Sequence, residues 1–343
     1  MVNWIKNDGP NSDVVISSRI RLARNIEGIP FPIIMDDKQA QQVVKIVKDA
    51  IFNSNTVLAG EFIDLEIDKL SDIDVQRLVE VHVVSPDLVK NRKRSAVLLR
   101  RDETVSIMIN EEDHIRIQCL NTGFQLENVW DLADKVDDVI EENVKYAFDE
   151  QLGYLTCCPT NVGTGIRASV MLHLPALTIT GYTKGMLQTI SKIGLTVRGL
   201  YGEGTEVAGN MFQLSNQLTL GQSEEEIINN LTTVTHQLVD REWAARENIA
   251  KHDRYGLEDK IYRSYGILSN ARKISSKEAM DLLSDVRMGV DMEILKEVDI
   301  NTINQLMFDI QPASVQKLAG ITDGAEQRDV ARAEVIRQRL NKK

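Results

Sequence analysis

The stretch CCPTNVGTGIRASVMLHLP, from Cys157 to Pro175, decides how this chain folds and where it binds a ligand. In it, small residues and two glycines lead into Arg167. Glycine permits backbone conformations that turn successive N–H groups toward one anion, and a guanidinium can face the same anion. We therefore expect this segment to hold a phosphorylated molecule.

Two other stretches supply charges of both signs. NEEDHIR, from Asn110 to Arg116, places three consecutive carboxylates three residues before an arginine. SSRIRLAR, from Ser17 to Arg24, contributes three further arginines. Arginines and carboxylates around one centre form the set of groups needed to move a phosphoryl group onto a strongly basic nitrogen.

The composition of the 343 residues limits the classes of protein. The chain has 43% hydrophobic and 27% charged residues, which is ordinary for a globular protein. Its length admits one large domain with a smaller one attached. The formal net charge of −11 gives it no general attraction to nucleic acid or to an anionic membrane, so neither is an expected partner. Positive charge for a ligand such as ATP must therefore be local.

Cysteine usage and the first residues indicate a cytoplasmic protein. Cys119, Cys157 and Cys158 lack metal-ligand spacing, and neither a metal site nor a disulfide framework is expected. The first residues contain no apolar run of the length of a signal peptide or a membrane span. We expect a reducing, cytoplasmic environment.

Hydrophobic periodicity divides the chain near residue 250. Residues 1–12 are predicted to form a polar tail, and 13–249 a domain of strands and helices. Its predicted strands are 13–17, 61–67, a hairpin over 96–109, an alternating strand after His114, 195–198 and 211–215. Its predicted helices are 36–52, 71–82, 128–150, 178–191 and 223–248. In the predicted C-terminal domain, 250–343, only helices are expected, over 257–268, 276–288, 301–308 and 325–340.

Familiar nucleotide-binding motifs are missing from the sequence. It contains no G-x-x-x-x-G-K-[ST] loop, no H-R-D or D-F-G motif and no complete G-x-G-x-x-G. If ATP binds, arginines must hold its phosphates in bidentate contacts, and the phosphates or one acid would bring Mg²⁺. Five arginines stand at predicted strand ends or glycine turns: Arg19, Arg21, Arg116, Arg167 and Arg198. For Arg19 and Arg21, a strand rim with solvated side chains is the alternative.

The carboxylates indicate the acceptor. A guanidinium has a pKa above about 12, so as a nucleophile it must be paired with carboxylates and lose a proton to one of them. Glu111, Glu112 and Asp113 can do this, and Cys158 as a partial thiolate would help to hold the guanidinium. The alternatives are a solvated acidic turn and a cysteine that is only a small buried apolar residue.

These stretches and the turn at Val197-Arg198-Gly199 occur in an order that resembles the catalytic domain of the phosphagen (guanidino) kinases, over residues 13–245. The resemblance implies an α+β fold with a mainly antiparallel β-sheet flanked by helices, and ATP and Mg²⁺ as cofactors. It implies catalytic roles for Glu112, aided by Glu111 and Asp113, and for Cys158. The implied ATP contacts are Ser17, Ser18, Arg19, Ile20, Arg21, His82, Arg116, Arg167, Ala168, Ser169, Val170, Met171, Arg198, Gly199, Leu200, Tyr201, Gly202 and Glu203. A lone histidine at a helix end, such as His82, is more often structural.

Two features narrow the resemblance to the bacterial protein-arginine kinases. The twelve residues before Asp13 leave no room for the small helical domain that helps enclose a free amino-acid substrate in other phosphagen kinases, and an all-helical domain follows instead. In that domain RDVARA resembles the phosphoarginine-binding motif of the family. The implied allosteric residues are Arg328, Asp329, Arg332 and Ala333. The pattern alone is also that of a solvated amphipathic helix.

The resemblance thus implies transfer of the ATP γ-phosphoryl group to arginine residues of proteins. It further implies marking of those proteins for a Clp protease, inactivation of a heat-shock repressor, and a zinc-binding activator as partner. A homodimer is expected, with apolar positions such as Leu282, Leu283, Met288 and Leu295 available for its contact. Two alternatives remain: a kinase for free arginine, and a phosphoarginine-reading module with an inactive kinase fold.

Overall fold

An eight-stranded antiparallel sheet organises the fold. The computed structural model describes residues 4–5, 9–199, 207–321 and 324–341. The strands are β1 (Val15–Arg24), β2 (Phe62–Leu65), β3 (Ala96–Arg100), β4 (Val105–Ile109), β5 (Ile115–Thr122), β6 (Phe148–Asp149), β7 (Gly153–Tyr154), β8 (Ile166–His173), β9 (Leu195–Gly199) and β10 (Met211–Asn216). The large sheet has the order β2-β3-β4-β5-β1-β8-β10-β9, and β6 pairs with β7. Every pairing is antiparallel, which confirms the predicted fold class.

Helices flank the sheet and make up the C-terminal region. They are α1 (Asp37–Phe52), α2 (Asp72–Glu80), α3 (Leu126–Glu141), α4 (Pro175–Ile179), α5 (Thr183–Ser191), α6 (Glu224–His252), α7 (Arg254–Asn270), α8 (Ser276–Asp291), α9 (Ile300–Asp309), α10 (Pro312–Ala319) and α11 (Ala325–Leu340). Polar caps set several starts: Asp36 and Ser223 form capping boxes for α1 and α6. The domain boundary at residue 250 lies at the end of α6 and stays a prediction.

Two helix predictions differ from the structure, and one helix was not predicted. α3 ends at Glu141 and not near residue 150, because the chain turns back to the sheet and Tyr146 forms a bridge with Ile26. The helix predicted over 178–191 is divided into α4 and α5 at Gly181, whose φ of +75° is left-handed. The periodicity does not reveal α10, a helix of eight residues with Pro312 in its first turn.

The two faces of the sheet pack against different partners. On the first face, residues such as Ile20 and Leu22 of β1 pack with α1, α3 and α6 in one core. On the second face, Met108 and Met171 join apolar residues of α7, α8, α9 and α11 in another core. Because side chains alternate along a strand, the polar residues between the first-face positions point to the second face. The part of that face beside the helices forms an open cleft.

A buried arginine fixes the C-terminal helices to the start of β1. Arg287 of α8 is fully buried and donates to the backbone oxygens of Ser12 and Asp13, at 2.5 and 2.8 Å. It also donates to Asp291 at 3.0 Å and to Asn304 of α9 at 2.9 Å. This buried guanidinium joins segments that are distant in sequence. If the segments separated, Arg287 and its acceptors would lose their hydrogen bonds, which would destabilise the fold.

Candidate active site

A cleft of about 530 Å³ opens on the second face of the sheet. Residues two apart on a strand share a face, which brings side chains of five strands to one place. The cleft is lined by His82, Glu112, Cys158 and all five arginines predicted from the sequence: Arg19 and Arg21 of β1, Arg116 of β5, Arg167 of β8 and Arg198 of β9. The structure therefore brings together the three stretches and the turn at Arg198, which are far apart in the chain.

The arginines are held close together despite their mutual repulsion. Arg21 and Arg167 are direct cross-strand partners, and like charges in that relation destabilise a sheet. Burial, then the charges of Arg19, Arg116 and Arg167, lower the pKa of Arg21 well below its usual value. Burial and the charge of Arg198 lower the pKa of Arg167.

Arg21 also carries an unused donor. Its Nε is buried and has no hydrogen-bond partner within the described residues. Buried polar groups in folded proteins are almost always paired, so an orphaned donor here indicates a missing acceptor. A group with several negative oxygens, such as a triphosphate, would satisfy Arg21 and neutralise its neighbours.

The turn between β4 and β5 presents the carboxylates. The Glu111 side chain is fully buried, and its Oε1 accepts hydrogen bonds from Arg116 Nη1 at 2.6 Å and from Ser85 Oγ at 2.5 Å. Glu112 lies 3.0 Å from Arg116 Nη2 and keeps 42% of its side chain exposed. Burial raises the pKa of Glu112, and Arg116 opposes this. Glu111 thus fixes the arginine, while Glu112 remains accessible to a substrate and suited to accept a proton.

Asn110 sets the backbone of this turn. Its φ of 58° lies in the left-handed region, which asparagine adopts more readily than most residues. Its Nδ2 donates to the backbone oxygens of Ala40 and Arg94, at 2.9 and 2.8 Å, and its own carbonyl accepts from Ser95 Oγ at 2.9 Å. The turn that carries Glu112 is therefore anchored to α1 and to the segment before β3.

Asp113 lies behind the cleft. It is fully buried, and its Oδ1 accepts from Asn25 Nδ2 and from the backbone N–H of Cys157, both at 2.7 Å. Asp113 is not among the residues that line the cleft, and its Oδ1 is engaged with Asn25 and with the loop that carries Cys158. Through these contacts it positions that loop, and its part in holding a guanidinium stays a prediction.

Cys158 is the cysteine that faces the cleft. It is half-buried, and its Sγ lies 3.0 Å from Thr160 Oγ1. It directly precedes a short 3-10 turn, Pro159–Asn161. Burial and the charge of Asp113 raise the pKa of the neighbouring Cys157 to about 12, so that Cys157 is a thiol at neutral pH. Cys158 is thus not the fully buried apolar residue that the sequence left as an alternative.

The predicted ATP-binding segments alternate between the cleft and the core. Arg19 Nε donates to Ser169 Oγ at 3.2 Å, and Ser17 and Met171 line a small cavity beside them. Side chains that point to the first face cannot reach a ligand in the cleft; these are Ser18, Ile20, Ala168 and Val170. Gly199 ends β9, and the predicted contacts Leu200, Tyr201, Gly202 and Glu203 lie outside the described residues.

His82 lines the cleft in a left-handed backbone conformation, with a φ of 61°. Burial, with the charge of Arg19, lowers its pKa to about 3, so the ring is neutral at pH 7. The ring packs edge to face on Phe308 of α9, with centroids 5.9 Å apart. A neutral aromatic ring supported in this way suits stacking on a nucleotide base, and that contact stays a prediction.

Sequence reasoning missed several residues of the site, among them Gln213, Ser215 and Ser85. Gln213 and Ser215 of β10 line the cleft, and Ser85 supports Glu111 from behind. The alternation of Gln213 and Ser215 with Phe212 and Leu214 does indicate a strand with one polar face. It gives no sign that β10 lies between β8 and β9, which is what brings that face to the cleft.

The RDVARA residues lie on α11 and are not among those lining the cleft. Arg332 is buried and donates to the backbone oxygens of Ile310 and Ile274, at 2.8 and 2.9 Å, and to Asp329 Oδ1 at 2.5 Å. Ala333 belongs to the second core. Arg328 is half-buried. The motif is therefore partly structural and not a solvated helix face, and its binding of phosphoarginine stays a prediction.

Among the described residues, no cluster of three or more histidine, cysteine, aspartate and glutamate side chains could hold a metal ion. In the same part of the chain, no helix combines the length and apolar character that crossing a membrane requires.

Comparison with known proteins places this fold. Residues 42–245 match the family model of the ATP:guanido phosphotransferase C-terminal catalytic domain, and residues 254–343 match that of the protein-arginine kinase McsB C-terminal domain. The crystal structure of lombricine kinase is similar with a TM-score of 0.60 at 24% identity, over 71% of this chain and 70% of that one. The duplicated taurocyamine kinase of Schistosoma mansoni, with bound transition-state-analogue components, has a TM-score of 0.62 at 24% identity, over 79% of this chain and 40% of that one. These structures show the same fold.

The fold, the cleft and the catalytic-domain match define an ATP:guanido phosphotransferase, and hence a kinase. The protein-arginine kinase of Caldanaerobacter subterraneus subsp. tengcongensis is 53% identical over 97% of this chain and 98% of the relative. Those of Geobacillus stearothermophilus and Brevibacillus brevis are 51% and 50% identical over 98% of this chain, and over 93% and 95% of the relatives. This chain belongs to the protein-arginine kinase family.

Proposed function

We propose that this kinase transfers the γ-phosphoryl group of ATP to the guanidinium of arginine residues in proteins. The observation that carries the proposal is the position of Glu112, an accessible carboxylate in the same cleft as five arginines. The arginines suit a triphosphate, and the carboxylate suits a cationic acceptor. A polyanion and a cation can therefore meet in one cleft.

On the nucleotide side, Arg21, Arg167 and Arg198 with their neighbours would bind phosphate oxygens. Such fixed positive groups stabilise the charge that develops as the γ-phosphoryl group leaves ADP. Mg²⁺ that arrives with ATP would neutralise part of the same charge. Glu111 and Glu112 already pair with Arg116, and a bound nucleotide would relieve the repulsion that remains among the other arginines.

On the acceptor side, Glu112 would bind the substrate guanidinium and remove its proton. As the guanidinium nitrogen forms a bond to phosphorus, the bond between phosphorus and the bridging oxygen of ADP breaks, and the proton passes to Glu112. Glu111 would keep Arg116 in place for the phosphates. Cys158, at the rim of the cleft, would contact the guanidinium from another side.

The acceptor is proposed to be an arginine in a protein because relatives with at least 50% identity over nearly the whole chain carry the name protein-arginine kinase. We extend the proposal to the cell as follows. The enzyme works in the cytoplasm, its product marks proteins for a Clp protease, and a heat-shock repressor is among its substrates. It acts as a homodimer with a zinc-binding activator, and phosphoarginine bound at RDVARA regulates it. The predicted dimer positions Leu283, Met288 and Leu295 need correction, because all three are buried within the second core and are not available for a contact between copies.

The test is to incubate the protein with Mg-ATP and an arginine-rich protein, and separately with free arginine. Phosphate is then located by mass spectrometry at neutral pH, because the N–P bond is labile in acid. We expect label on protein arginines, and none on a matched protein whose arginines are replaced by lysine. Label on free arginine alone would make this a free-arginine kinase. Tight phosphoarginine binding without any phosphoryl transfer would make it a phosphoarginine-binding module with an inactive kinase fold.

A further inference from the structure

A groove of about 250 Å³ lies between the β6–β7 hairpin and the segment that leads from β10 to α6. Three large apolar side chains that line it reach the surface: Phe148 is 58% exposed, Leu152 is 46% exposed and Leu220 is 54% exposed. Scattered exposed apolar residues are ordinary, but several that line one groove are a feature of contact sites. The neighbours of the groove decide what could fill it.

One loop, residues 159–165, forms a wall of both the groove and the active-site cleft. Asn161 and Gly165 line the cleft. Gly163 and Thr164, which lie between them in the sequence, line the groove. The groove and the cleft are therefore on opposite sides of a single stretch of backbone, which we call the shared loop.

Thr219 attaches the groove to this loop. It is buried and lines the groove, and its Oγ1 donates to the carbonyl oxygens of Thr160 and Val162, at 2.9 and 2.7 Å. Thr160 in turn lines the cleft. Gly163 approaches so closely that a side chain at this position would collide with the backbone of Thr219. No space for another element remains between the two sites at this point.

The shared loop belongs to the acceptor side of the cleft. It directly follows Cys158, which lines the cleft together with Glu112. The preceding residue, Cys157, donates its backbone N–H to Asp113 Oδ1 at 2.7 Å. The turn that carries Glu112 is thus bonded to the base of the loop that separates the cleft from the groove.

The strand register leads to the same placement. Ile115 opens β5 just after the acidic turn and pairs with Arg24, and Ile166 opens β8 just after the shared loop and pairs with Leu22. Leu22 and Arg24 both lie at the end of β1. The acidic turn and the shared loop therefore project from the same end of the sheet.

The wall of the groove is preorganised. Arg24 is buried, pairs with Asp137 at 2.7 Å and donates to the carbonyl oxygen of Thr164 at 3.0 Å. Its Cζ lies 3.6 Å from the centroid of the Tyr154 ring, on which Phe148 packs edge to face with centroids 5.2 Å apart. A surface that is already ordered costs little conformational entropy when a partner binds.

The two segments that form the groove are acidic. Residues 148–154 and 218–226 contain no lysine or arginine and five carboxylates, which are Asp149, Glu150, Glu224, Glu225 and Glu226. Glu224 lines the groove itself. Such a surface attracts a cationic segment and repels another copy of this chain, whose net charge is −11. An arginine-containing stretch of a substrate fits both the charge and the apolar side chains.

We infer that this groove binds the residues that flank the target arginine of a protein substrate, and that it selects apolar flanks close to positive charge. The inference rests on the proposed function. A polypeptide whose arginine reaches Glu112 would pass over the shared loop, in which Pro159 and Thr160 are exposed. Backbone segments pack roughly 5 Å apart, so the two sides of the loop are about 10 Å from each other. Residues two or three positions from the target lie roughly 7–10 Å along an extended chain, which matches this separation.

The test uses two peptides with one arginine and two outer lysines. They differ only two and three positions from the arginine on both sides, where one has leucine and the other serine. For the unaltered kinase we expect kcat/KM to be about tenfold higher on the leucine peptide. In Leu152→Ser/Leu220→Ser the ratio should fall toward one, because KM for the leucine peptide rises. Leu152→Met/Leu220→Met should restore the ratio, since methionine keeps the apolar volume.

Leu318→Ser is the matched control and should leave the ratio unchanged. Leu318 is 46% exposed, as Leu152 is, but it lies on α10, whose first turn is held by Glu80 of α2. A ratio near one in the unaltered kinase, or an unchanged ratio in Leu152→Ser/Leu220→Ser, would overturn the inference. Dissociation of an oligomer by that variant alone would also overturn it, because the groove would then be an interface between copies.

The charge of the groove is tested by exchanging the two lysines of the leucine peptide for glutamates. We expect kcat/KM to fall about threefold at low salt and by less at high salt. Glu224→Gln should reduce this difference, whereas Glu297→Gln, at an exposed position between α8 and α9, should not. An equal difference in both variants would contradict the part assigned to Glu224. Phosphorylation of the serine peptide shows separately that the proposed function holds, and transfer to neither peptide nor to an arginine-rich protein would overturn both.

Discussion

Asp113 Oδ1 and the backbone N–H of Cys157 form a hydrogen bond of 2.7 Å that joins the acidic turn to the cysteine loop. A neighbour in sequence of each bonded residue lines the cleft. Glu112 directly precedes Asp113, and Cys158 directly follows Cys157. The relative position of the two candidate catalytic side chains therefore depends on a buried residue that does not line the cleft.

Asp113→Ala should lower both stability and turnover. Two buried donors, Asn25 Nδ2 and Cys157 N, would lose their acceptor, which costs about 1–3 kcal/mol. Denaturant unfolding and kcat measure the two effects. Asp131→Ala, at an exposed position of α3, is the control and should change neither. Equal stability of the two variants would contradict the positioning role of Asp113.

The activity should fall on the acid side at a pH above the ordinary range of a glutamate. Glu112 acts as the base only when deprotonated, and burial raises its pKa from the usual 4.5. As the pH drops through the raised pKa, kcat/KM should decline in proportion to the deprotonated fraction. The measurement is a pH profile of kcat/KM, restricted to the range in which circular dichroism shows the protein folded. An acid limb at or below the ordinary value would show that Glu112 is not the titrating base.

Arg21→Met should weaken ATP binding without destabilising the free protein. The half-buried side chain of Arg21 is repelled by its neighbours, and its buried Nε has no hydrogen-bond partner within the described residues, so its removal costs the nucleotide-free fold little. Thermal unfolding with and without Mg-ATP separates the two effects, because a ligand stabilises only the state that binds it. We expect an unchanged or higher Tm without nucleotide and a smaller rise with it. Arg101→Met, at an exposed hairpin position, should keep the full rise.

Ser85→Ala should reduce turnover through Glu111. Loss of the hydrogen bond from Ser85 Oγ leaves the buried Glu111 carboxylate with fewer partners. Glu111 then holds Arg116 less firmly in position. A loss of about 1 kcal/mol in the transition state corresponds to roughly a fivefold fall in kcat. Ser85→Thr keeps the hydroxyl and should retain most of the activity. If kcat is unchanged in Ser85→Ala while Glu111→Gln is inactive, Ser85 does not position Glu111.

Arg332→Ala and Arg328→Ala should differ in their effect on folding. Arg332 is buried with three acceptors, and its removal should cost about 3 kcal/mol or more of stability. Arg328 is half-buried, and its removal should change stability by less than about 0.5 kcal/mol. Calorimetric titration with phosphoarginine should show weaker binding in Arg328→Ala at full stability. Unaltered binding there would remove Arg328 from the proposed allosteric site.

The sequence predicted part of the lining of the cleft, because the alternation of side chains along a strand determines which residues share a face. Arg19 and Arg21 are two residues apart on one strand, and the structure puts both in the cleft. The residue pattern alone could not separate the roles of Glu111, Glu112 and Asp113, because three adjacent carboxylates look alike in sequence, and only the family resemblance singled out Glu112. Their roles are set by partners at remote positions, such as Ser85 for Glu111 and Cys157 for Asp113.

The fold shows the same division between local and distant causes. The predicted helix starts at residues 36 and 223 coincide with the capping residues Asp36 and Ser223 of α1 and α6, because a capping box is a local feature of the sequence. The end of α3 could not be predicted, because the apolar Val144 continues its pattern while the chain is drawn to the sheet by Tyr146. The structural role of Arg332 could not be predicted either, because its acceptors, the carbonyl oxygens of Ile274 and Ile310, lie at the ends of other helices.

The central claim, that Glu112 removes the proton during transfer to protein arginine, is tested most directly with Glu112→Gln. The rate of arginine phosphorylation on one protein substrate is measured by mass spectrometry at neutral pH, and the affinity for Mg-ATP by titration, for both forms of the kinase. We expect the rate to fall at least about 10²-fold while the ATP affinity is retained. A variant that still phosphorylates arginine at a comparable rate, or one that loses ATP binding together with activity, would contradict this assignment.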